Sequence, residues 1–388
     1  MLIQFHILQN YQPSNLNRDD TGSPKDAVFG GVLRGRISSQ CLKRSIRKSQ
    51  TFKDEFEKSG ALGERTKQLP LLIQEELKAL GADATALNAI VARVPEIGRE
   101  SKKRVEAAEA EENEEGNEDA EMGAEVIGET AQLIFIDRKN EVRPLAEKLL
   151  EVYIKLGAKQ WEKAKIADIT REMGEHLPRS IDIAMFGRMT TSQAFRDIHA
   201  SVQVAHALST NALKQEFDYY TAMDDLKPDS EPGADMIGDI EFNSCTYYKY
   251  VNAHWEGLLK NLGDDKAVAR QALAALLQAA ATAQPTGKQN SFAAFNLPDF
   301  VLVQVSERNL PISYANAFLK PVRGQSDETL MDNSIQALDT YATKLNRAYN
   351  LAPASAFLAV NGQTFATAQG QSSLDDLCKW LESQLPSA

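Results

Sequence analysis

Cysteine is scarce in this 388-residue sequence. Cys41, Cys245 and Cys378 are odd in number and far apart, which argues against a disulfide framework or a cysteine-rich zinc site. No apolar run approaches the roughly 20 residues that cross a bilayer. The opening Met-Leu-Ile-Gln-Phe-His carries no basic stretch, so neither a membrane anchor nor a secretory leader is expected. These features lead to the expectation of a cytoplasmic protein. Neither a G-x-x-x-x-G-K-[ST] phosphate loop nor a G-x-G-x-x-G fingerprint occurs, and Gly287-Lys288 follows a helical pattern, the wrong context for one. His6, His176, His199, His206 and His254 form no H-E-x-x-H or i,i+4 pair. Asp19-Asp20, with Asp26 nearby, offers two readings: a metal site for phosphodiester cleavage, or turn acids that cap backbone N–H groups. No catalytic residue, metal or cofactor is expected.

Basic residues are slightly outnumbered, and the formal net charge is −11. Ten acids between Glu106 and Glu125, with no base among them, account for most of it; the rest of the chain carries −1. That run is low in complexity and reads as a solvated loop. An acidic total therefore does not argue against a nucleic-acid partner. The opposite extreme is residues 34–49, Arg-Gly-Arg-Ile-Ser-Ser-Gln-Cys-Leu-Lys-Arg-Ser-Ile-Arg-Lys-Ser, inside a span from Ala27 to Lys53 that has no acid. From Ser38 the spacing predicts a helix. Lys43 with Arg47, and Arg44 with Lys48, are i,i+4 pairs on one face, beside an apolar stripe of Leu42 and Ile46. Like charges at this spacing repel, so a polyanionic partner would relieve the helix. Ser38, Ser39 and Gln40 open it with an N-cap candidate and N–H groups that suit an anion. On charge alone the alternative is an ordinary solvated helix face.

Alternation of Ile3, Phe5 and Ile7 against Gln4 and His6 predicts a strand over 2–9. From about 53 to 179 the pattern is mostly helical, with helices predicted at 64–80, 83–93, 142–157 and 159–175. Strand patterns follow at 180–189, at 201–209 and at 240–251. A helix at 264–283, a strand at 299–306, a helix at 327–348, a short strand at 355–360 and a helix at 372–384 complete the chain. With insertions set aside, the order is β-α-β-β-α-β, an α+β arrangement of ferredoxin-like (RRM-like) type. Residues 1–52, 180–210 and 240–388 belong to this core, and 53–179 form a large helical insertion.

Residues 211–239 form a long polar stretch between two successive strands, which reads as an arm. Phe217, Tyr219 and Tyr220 suit stacking on bases. Asp218, Asp224, Asp225, Asp229, Glu231 and Asp235 rule the arm out as a phosphate cradle. An acidic arm and a basic helix on one chain are complementary and favour head-to-tail assembly. The alternative is that the aromatics pack into their own domain.

Several blocks resemble the CasC-type backbone subunit of the subtype I-E CRISPR Cascade surveillance complex, of the RAMP superfamily. They include Leu16-Asn17-Arg18-Asp19-Asp20, Lys25 to Gly31, Arg36-Ile37-Ser38-Ser39-Gln40 and Asp182-Ile183-Ala184 with Gly187-Arg188-Met189. Val204 to Ala207, Thr221 to Leu226, Ala293 to Asn296 and Ala315 to Phe318 continue the match in the same order. The acidic run 106–125 and the extreme C-terminus have no counterpart in it.

The resemblance implies a hand: a ferredoxin-like palm, helical fingers at 53–179 and a hairpin thumb at 211–239. It implies a non-catalytic subunit that polymerises head to tail along CRISPR guide RNA. Each thumb kinks the guide so that the spacer pairs with target DNA, beside other Cascade subunits. Ser39, Gln40, Lys43, Arg44 and Lys48 would then hold guide phosphates, with Arg18, Lys25, Arg34 and Arg36 on the same path. Met189 would press on bases, and Tyr219, Tyr220 and Thr221 would wedge the flipped nucleotide. Lys288, Lys320 and Arg323 would add backbone or target-strand contacts. Two other readings remain open: a guide-dependent metal endoribonuclease using Asp19, Asp20 or Asp26, and a single-strand RNA-binding protein that does not polymerise.

Overall fold

The computed structural model of the chain describes residues 1–97, 129–130, 133–170, 178–190, 194–222, 236–325 and 327–387. The acidic run 106–125, the arm tip 223–235 and residues 171–177 of the expected helix 159–175 lie outside the described residues. The fold is α+β and divides into two compact units. One comprises Met1–Phe52, Gln203–His254 and Arg270–Ser387; the other comprises Lys53–Val202 and Trp255–Ala269.

The first unit is built on one large sheet. Its strands are β1 (Leu2–Ser14), β2 (Asp26–Phe29), β3 (Val32–Ile37), β4 (Val202–Val204), β5 (Ala207–Ser209), β6 (Glu216–Ala222), β7 (Met236–His254), β8 (Phe300–Ser306), β9 (Ala354–Ala359) and β10 (Gln369–Gly370). They lie in the order β10-β9-β8-β1-β7-β5-β3-β2, with β4 and β6 also paired to β7. The four central strands, β8-β1-β7-β5, are antiparallel at every step. Helices α1 (Ser39–Arg47), α2 (Lys266–Thr282, from Arg270 on), α3 (Leu330–Ala348) and α4 (Leu374–Gln384) belong to this unit.

β1 is central, and its expected alternation holds, but the polar set is buried as deeply as the apolar one. Gln4 and His6 share a face with Leu8, Tyr248 and Tyr250, and α3 covers that face through Ile335, Leu338 and Ala342. Burial there is tolerable because each polar group is paired. His6 Nδ1 lies 2.8 Å from the Tyr248 hydroxyl, His6 Nε2 lies 3.2 Å from Gln304 Oε1, and Tyr250 donates to Gln4 Oε1 at 2.6 Å. The opposite face carries Ile7, Gln9, Tyr11 and Lys249.

The predicted arm is a two-stranded ladder. β6 pairs with the first part of β7 from Glu216↔Phe242 to Ala222↔Met236. β7 then continues as a sheet strand, pairing with β1 from Asn243↔Ser14.

The second unit is largely helical. Helices Leu69–Ala79, Ala84–Val91 and Arg143–Leu156 pack Leu72, Ile73, Leu87, Ile90, Leu145 and Leu149 into one core, beside a two-stranded sheet of Glu64–Thr66 and Ile134–Ile136. The predicted helix 64–80 therefore starts late, at Leu69, with Pro70 in its first turn, where a missing N–H costs nothing. The stretch 159–175 is broken into Ala158–Trp161 and Ile166–Thr170 within its described part.

Two strand assignments need correction. Residues Ile181–Phe186 are helical, not extended, and stop at Gly187, whose φ is 77°. Ile181 through Met185 are all buried, and a short run buried all round carries no period to separate helix from strand. The expected strand 201–209 is two strands, β4 and β5, with Ala205 and His206 between them. The phase therefore slips, and it is Ala207, not Leu208, that is buried.

Candidate nucleic-acid interface

Ser38 caps α1, accepting a hydrogen bond from the Cys41 N–H at 3.2 Å, while its own N–H donates to Asn17 Oδ1 at 2.8 Å. The N–H groups of Ser39 and Gln40 at the open end have no acceptor among the described residues. Leu42 and Ile46 are buried, as the stripe predicted. Of the cations, Arg44 and Lys48 are exposed, and Lys43 and Arg47 are half-buried. Ser39 is itself buried, so the helix opening presents mainly its backbone and the half-buried Gln40.

Three further predicted residues meet this opening. Asn17 ties the segments together: its carbonyl accepts from Lys25 N–H at 2.8 Å, and the Lys25 carbonyl accepts from Arg36 N–H at 2.9 Å. Arg18 bridges to Pro24 in the same turn. Arg36 donates through Nε to the Asp26 carbonyl, and its Nη1 lies 3.2 Å from His206 Nδ1. Lys288 joins from the far side of the sequence, because Gly287 packs so close that an added Cβ would lie 2.3 Å from the Leu16 carbonyl oxygen. The Lys288 backbone is left-handed, φ 50°, a cost of about 1 kcal/mol or more for a non-glycine residue.

Burial pushes the Cys41 thiol up to about 11, while the charges of Lys25, Arg44 and Lys249 pull it back. The same burial brings Lys249 down to about 7. Nothing in the sequence marked Lys249, which sits in a Tyr-Tyr-Lys-Tyr strand with Nζ donating to Gln9 Oε1 and, at 3.3 Å, to the Tyr11 hydroxyl. Cys41 of α1 interacts electrostatically with Tyr11 and Lys249, which lie on one face of the sheet, whereas α3 packs on the other.

Arg34 does not join the exposed set. It is 0% exposed, and its guanidinium donates to the carbonyl oxygens of Ser209, Thr210, Phe318 and Leu319 at 2.7–3.3 Å. A phosphate has no access to it; Arg34 is a structural clamp.

Lys320 and Arg323 are exposed and line an open groove with Lys344 of α3, with Val32 of β3 and Asn211 also in its lining. The acid at the head of the turn, Asp19, is occupied. Its Oδ1 accepts from Thr21 N–H at 2.9 Å, Ser23 N–H at 3.0 Å and the Thr21 hydroxyl at 2.8 Å. The Thr21 hydroxyl chiefly holds its carboxyl below the usual range.

On the arm, Phe217 and Tyr219 are each 64% exposed and share a face with Thr221 and Ile237. Tyr220 points to the other face, 38% exposed, with its ring over Gly238; a Cβ there would lie 2.5 Å from its hydroxyl. Tyr219 and Thr221 share one face of the arm. Tyr220 cannot join them, because neighbours along a strand face opposite ways.

In the second unit, Met189 is 72% exposed. The residue before it, Arg188, exchanges reciprocal backbone hydrogen bonds with Ile198 at 2.8–2.9 Å. The Arg188 side chain makes a buried bidentate pair with Glu141, 2.7 Å on each arm, and also donates to the Arg196 carbonyl. Burial dominates at Glu141 and raises its carboxyl. This clamp went unread in the sequence, since its partners lie 47 residues apart.

Comparison with curated proteins gives no match. Among solved structures, a chain from a CRISPR RNA-guided surveillance complex, pre-nicking, superposes with a TM-score of 0.77 at 26% identity over 99% of each chain. A chain from a second CRISPR RNA-guided surveillance complex shares the fold, with a TM-score of 0.61 at 23% identity over 99% of each chain. Residues 3–380 match the family profile described as CT1975-like protein, and the chain belongs to that family.

Proposed function

We propose that this chain is a non-catalytic, guide-RNA-binding backbone subunit of a CRISPR RNA-guided surveillance complex of the Cascade kind, of subtype I-E. The observation that carries the reading is the acid-free helix α1. Its N-terminal N–H groups and exposed Arg44 and Lys48 lie beside Arg18, Lys25, Arg36 and the loop of Lys288. The end-to-end likeness to a chain of an RNA-guided complex supports it. Backbone phosphates suit this surface, which has cations and N–H donors and no base-reading motif. Sequence recognition then falls to base pairing between guide and target DNA.

We read the four central strands as a ferredoxin-like palm; their order, last-first-third-second along the chain, supports this. In RNA-recognition domains of this class, aromatics on the open sheet face stack on bases. Here His6, Tyr248 and Tyr250 lie under α3, so the guide runs along α1 instead. The largely helical unit serves as fingers and presents Met189; the β6–β7 arm serves as thumb. Copies assemble head to tail, with Phe217, Tyr219 and Thr221 of one arm facing the guide or its neighbour, and the complex works in the cytoplasm beside other Cascade subunits. Asp19 is given no cleavage role, since its carboxylate closes a turn.

The test is charge reversal at the two exposed α1 cations, Arg44→Glu with Lys48→Glu. The expected result is an intact fold with co-purifying RNA lost. Wild-type RNA retention should weaken steeply with salt, as phosphate contacts do. Full RNA retention by the double variant would overturn the reading.

A further inference from the structure

We infer that the buried Arg188–Glu141 ion pair is a positioning pair: it pins the register of the loop that carries Met189, so that one apolar side chain meets the guide bases at a fixed depth. This deepens the guide-binding reading and rests on it for the identity of the ligand.

Met189 is a flexible thioether that stands 72% exposed, directly after a side chain that is only 1% exposed. Apolar side chains of this kind wedge between bases and unstack them. A wedge works only if its backbone is held, and the backbone here supplies little. Among the described residues, the loop 187–198 is closed by one bridge, Arg188 with Ile198. Thr190 N–H adds a bond to Asp197 Oδ1 at 2.7 Å, at the surface. Successive residues of a paired segment face opposite ways. A slip of one residue would therefore turn Met189 inward and Arg188 outward.

The Arg188 guanidinium forbids that slip. Its Nη1 and Nη2 donate to Glu141 Oε2 and Oε1 at 2.7 Å each, Nη1 also donates to the Phe135 carbonyl at 3.0 Å, and Nε and Nη2 donate to the Arg196 carbonyl at 3.1 and 2.7 Å. All of the fork's N–H groups are thereby taken. The Phe195 ring lies against it, its centroid 5.7 Å from Cζ. The Arg196 bonds tie one leg of the loop to the other. The Glu141 bonds tie both to the turn that opens helix Arg143–Leu156, where the Asp137 N–H holds Glu141 Oε2 at 2.9 Å. Gly187 narrows the entry: its φ is 77°, and an added Cβ would lie 2.8 Å from the Ile198 carbonyl oxygen.

Stability alone does not account for the pair. Taking two charges out of water is costly, and apolar side chains of similar volume often serve a fold as well. What an apolar pair cannot supply is direction, because a guanidinium fork meets a carboxylate bidentately in one geometry.

The experiment uses the guide-loaded complex with 2-aminopurine, a base that brightens when unstacked, at successive guide positions in separate preparations. Met189→Ala shows which positions the wedge unstacks. Arg188→Lys keeps the charge and loses the fork. Ile90→Ala truncates the core of the same helical unit and removes none of the hydrogen bonds above. Arg188→Lys is expected to dim the same positions to the Met189→Ala level. The variant carrying both changes should go no lower, and Ile90→Ala should keep the wild-type pattern. In the free chain, Arg188→Lys should speed amide exchange at Arg188 and Ile198 by about tenfold or more, with Leu145 and Leu149 still protected. Glu141→Gln breaks the pair from the other side, should act in the same direction, and keeps the test open if Arg188→Lys unfolds. A wild-type pattern from Met189→Ala or Arg188→Lys, a further drop when the two are combined, an equal drop from Ile90→Ala, or unchanged exchange at Ile198 overturns the inference. A wild-type complex without RNA would instead overturn the guide-binding reading, and amide exchange would still test the pin.

Discussion

Arg34 Nη2 donates to the Phe318 carbonyl oxygen at 2.7 Å, while Nη1 of the same guanidinium reaches the Ser209 and Thr210 carbonyls at 2.9 Å. One buried side chain thus joins the end of β5 to the loop ahead of α3. Arg34→Met is expected to lower stability by roughly 3 kcal/mol, because several buried carbonyls lose their donors together. Arg34→Lys should rescue little, since an ammonium lacks the fork that spans two segments. Urea unfolding of the chain checks this. An unshifted midpoint accompanied by loss of RNA would return Arg34 to the phosphate path.

Tyr219 and Tyr220 are neighbours in sequence with opposite duties on the arm. Tyr219→Ala is expected to weaken RNA binding by about 1–3 kcal/mol, the worth of one base stack, and to leave the arm folded. Tyr220→Ala removes the ring that lies over Gly238, where a strand glycine gains from an aromatic cover. It should increase amide exchange in β6 and affect RNA only through that loosening. Equal RNA loss from both variants, with the arm equally protected, would contradict the two-faced assignment.

Burial lowers His6 from 6.5 to about 3, so the folded chain holds it neutral at pH 7. Its folded value lies below its unfolded one; the associated stability is complete above pH 6.5 and is lost as pH falls towards 3. Between pH 6.5 and 5, before most carboxylates titrate, this one group should contribute up to about 1.4 kcal/mol per pH unit. His6→Gln removes the titration, and its stability should be flatter over that window. Parallel pH profiles for the two proteins, measured by chemical denaturation, would show that His6 is not the group responsible.

Local chemistry was readable in the sequence, and long-range placement was not. Helix α1 was predicted over 38–49 and spans Ser39–Arg47 with the expected Ser38 cap, because its charges, stripe and cap all lie within three turns. Arg34 looked like another member of the same cluster. Its partners lie 175 and 284 residues away, and no local pattern reports that. The groove failed to show for the same reason, since Lys320 and Lys344 become neighbours only when α3 folds back across the loop. The stripe Gln336, Thr340 and Lys344 was there to be noticed, an acid-free row at helical spacing. Ile181–Phe186 was misread because a segment buried on every side loses the periodicity on which such readings depend.

The arm offers the sharpest separation between an array-forming subunit and a simple RNA binder. Its ladder ends at Glu216↔Phe242, and the palm pairing of the same strand begins one residue later, at Asn243↔Ser14. A cut at that boundary therefore removes the arm without taking a hydrogen bond from the central sheet. Replacing residues 216–242 with a short Gly-Ser turn should leave a folded palm, because β1, β5 and β8 keep the partners that bury Phe5, Ile7 and Val303. α1 is untouched, so the shortened chain should still bind RNA, though weakly and one copy at a time. Only contacts from copy to copy propagate an array, so the regular protection of bound guide RNA should disappear. Nuclease footprinting of the guide with intact and shortened chains distinguishes the two cases. An identical periodic footprint from both would mean that the arm does not link the copies, and that the exposed face of Phe217, Tyr219 and Ile237 serves some other contact.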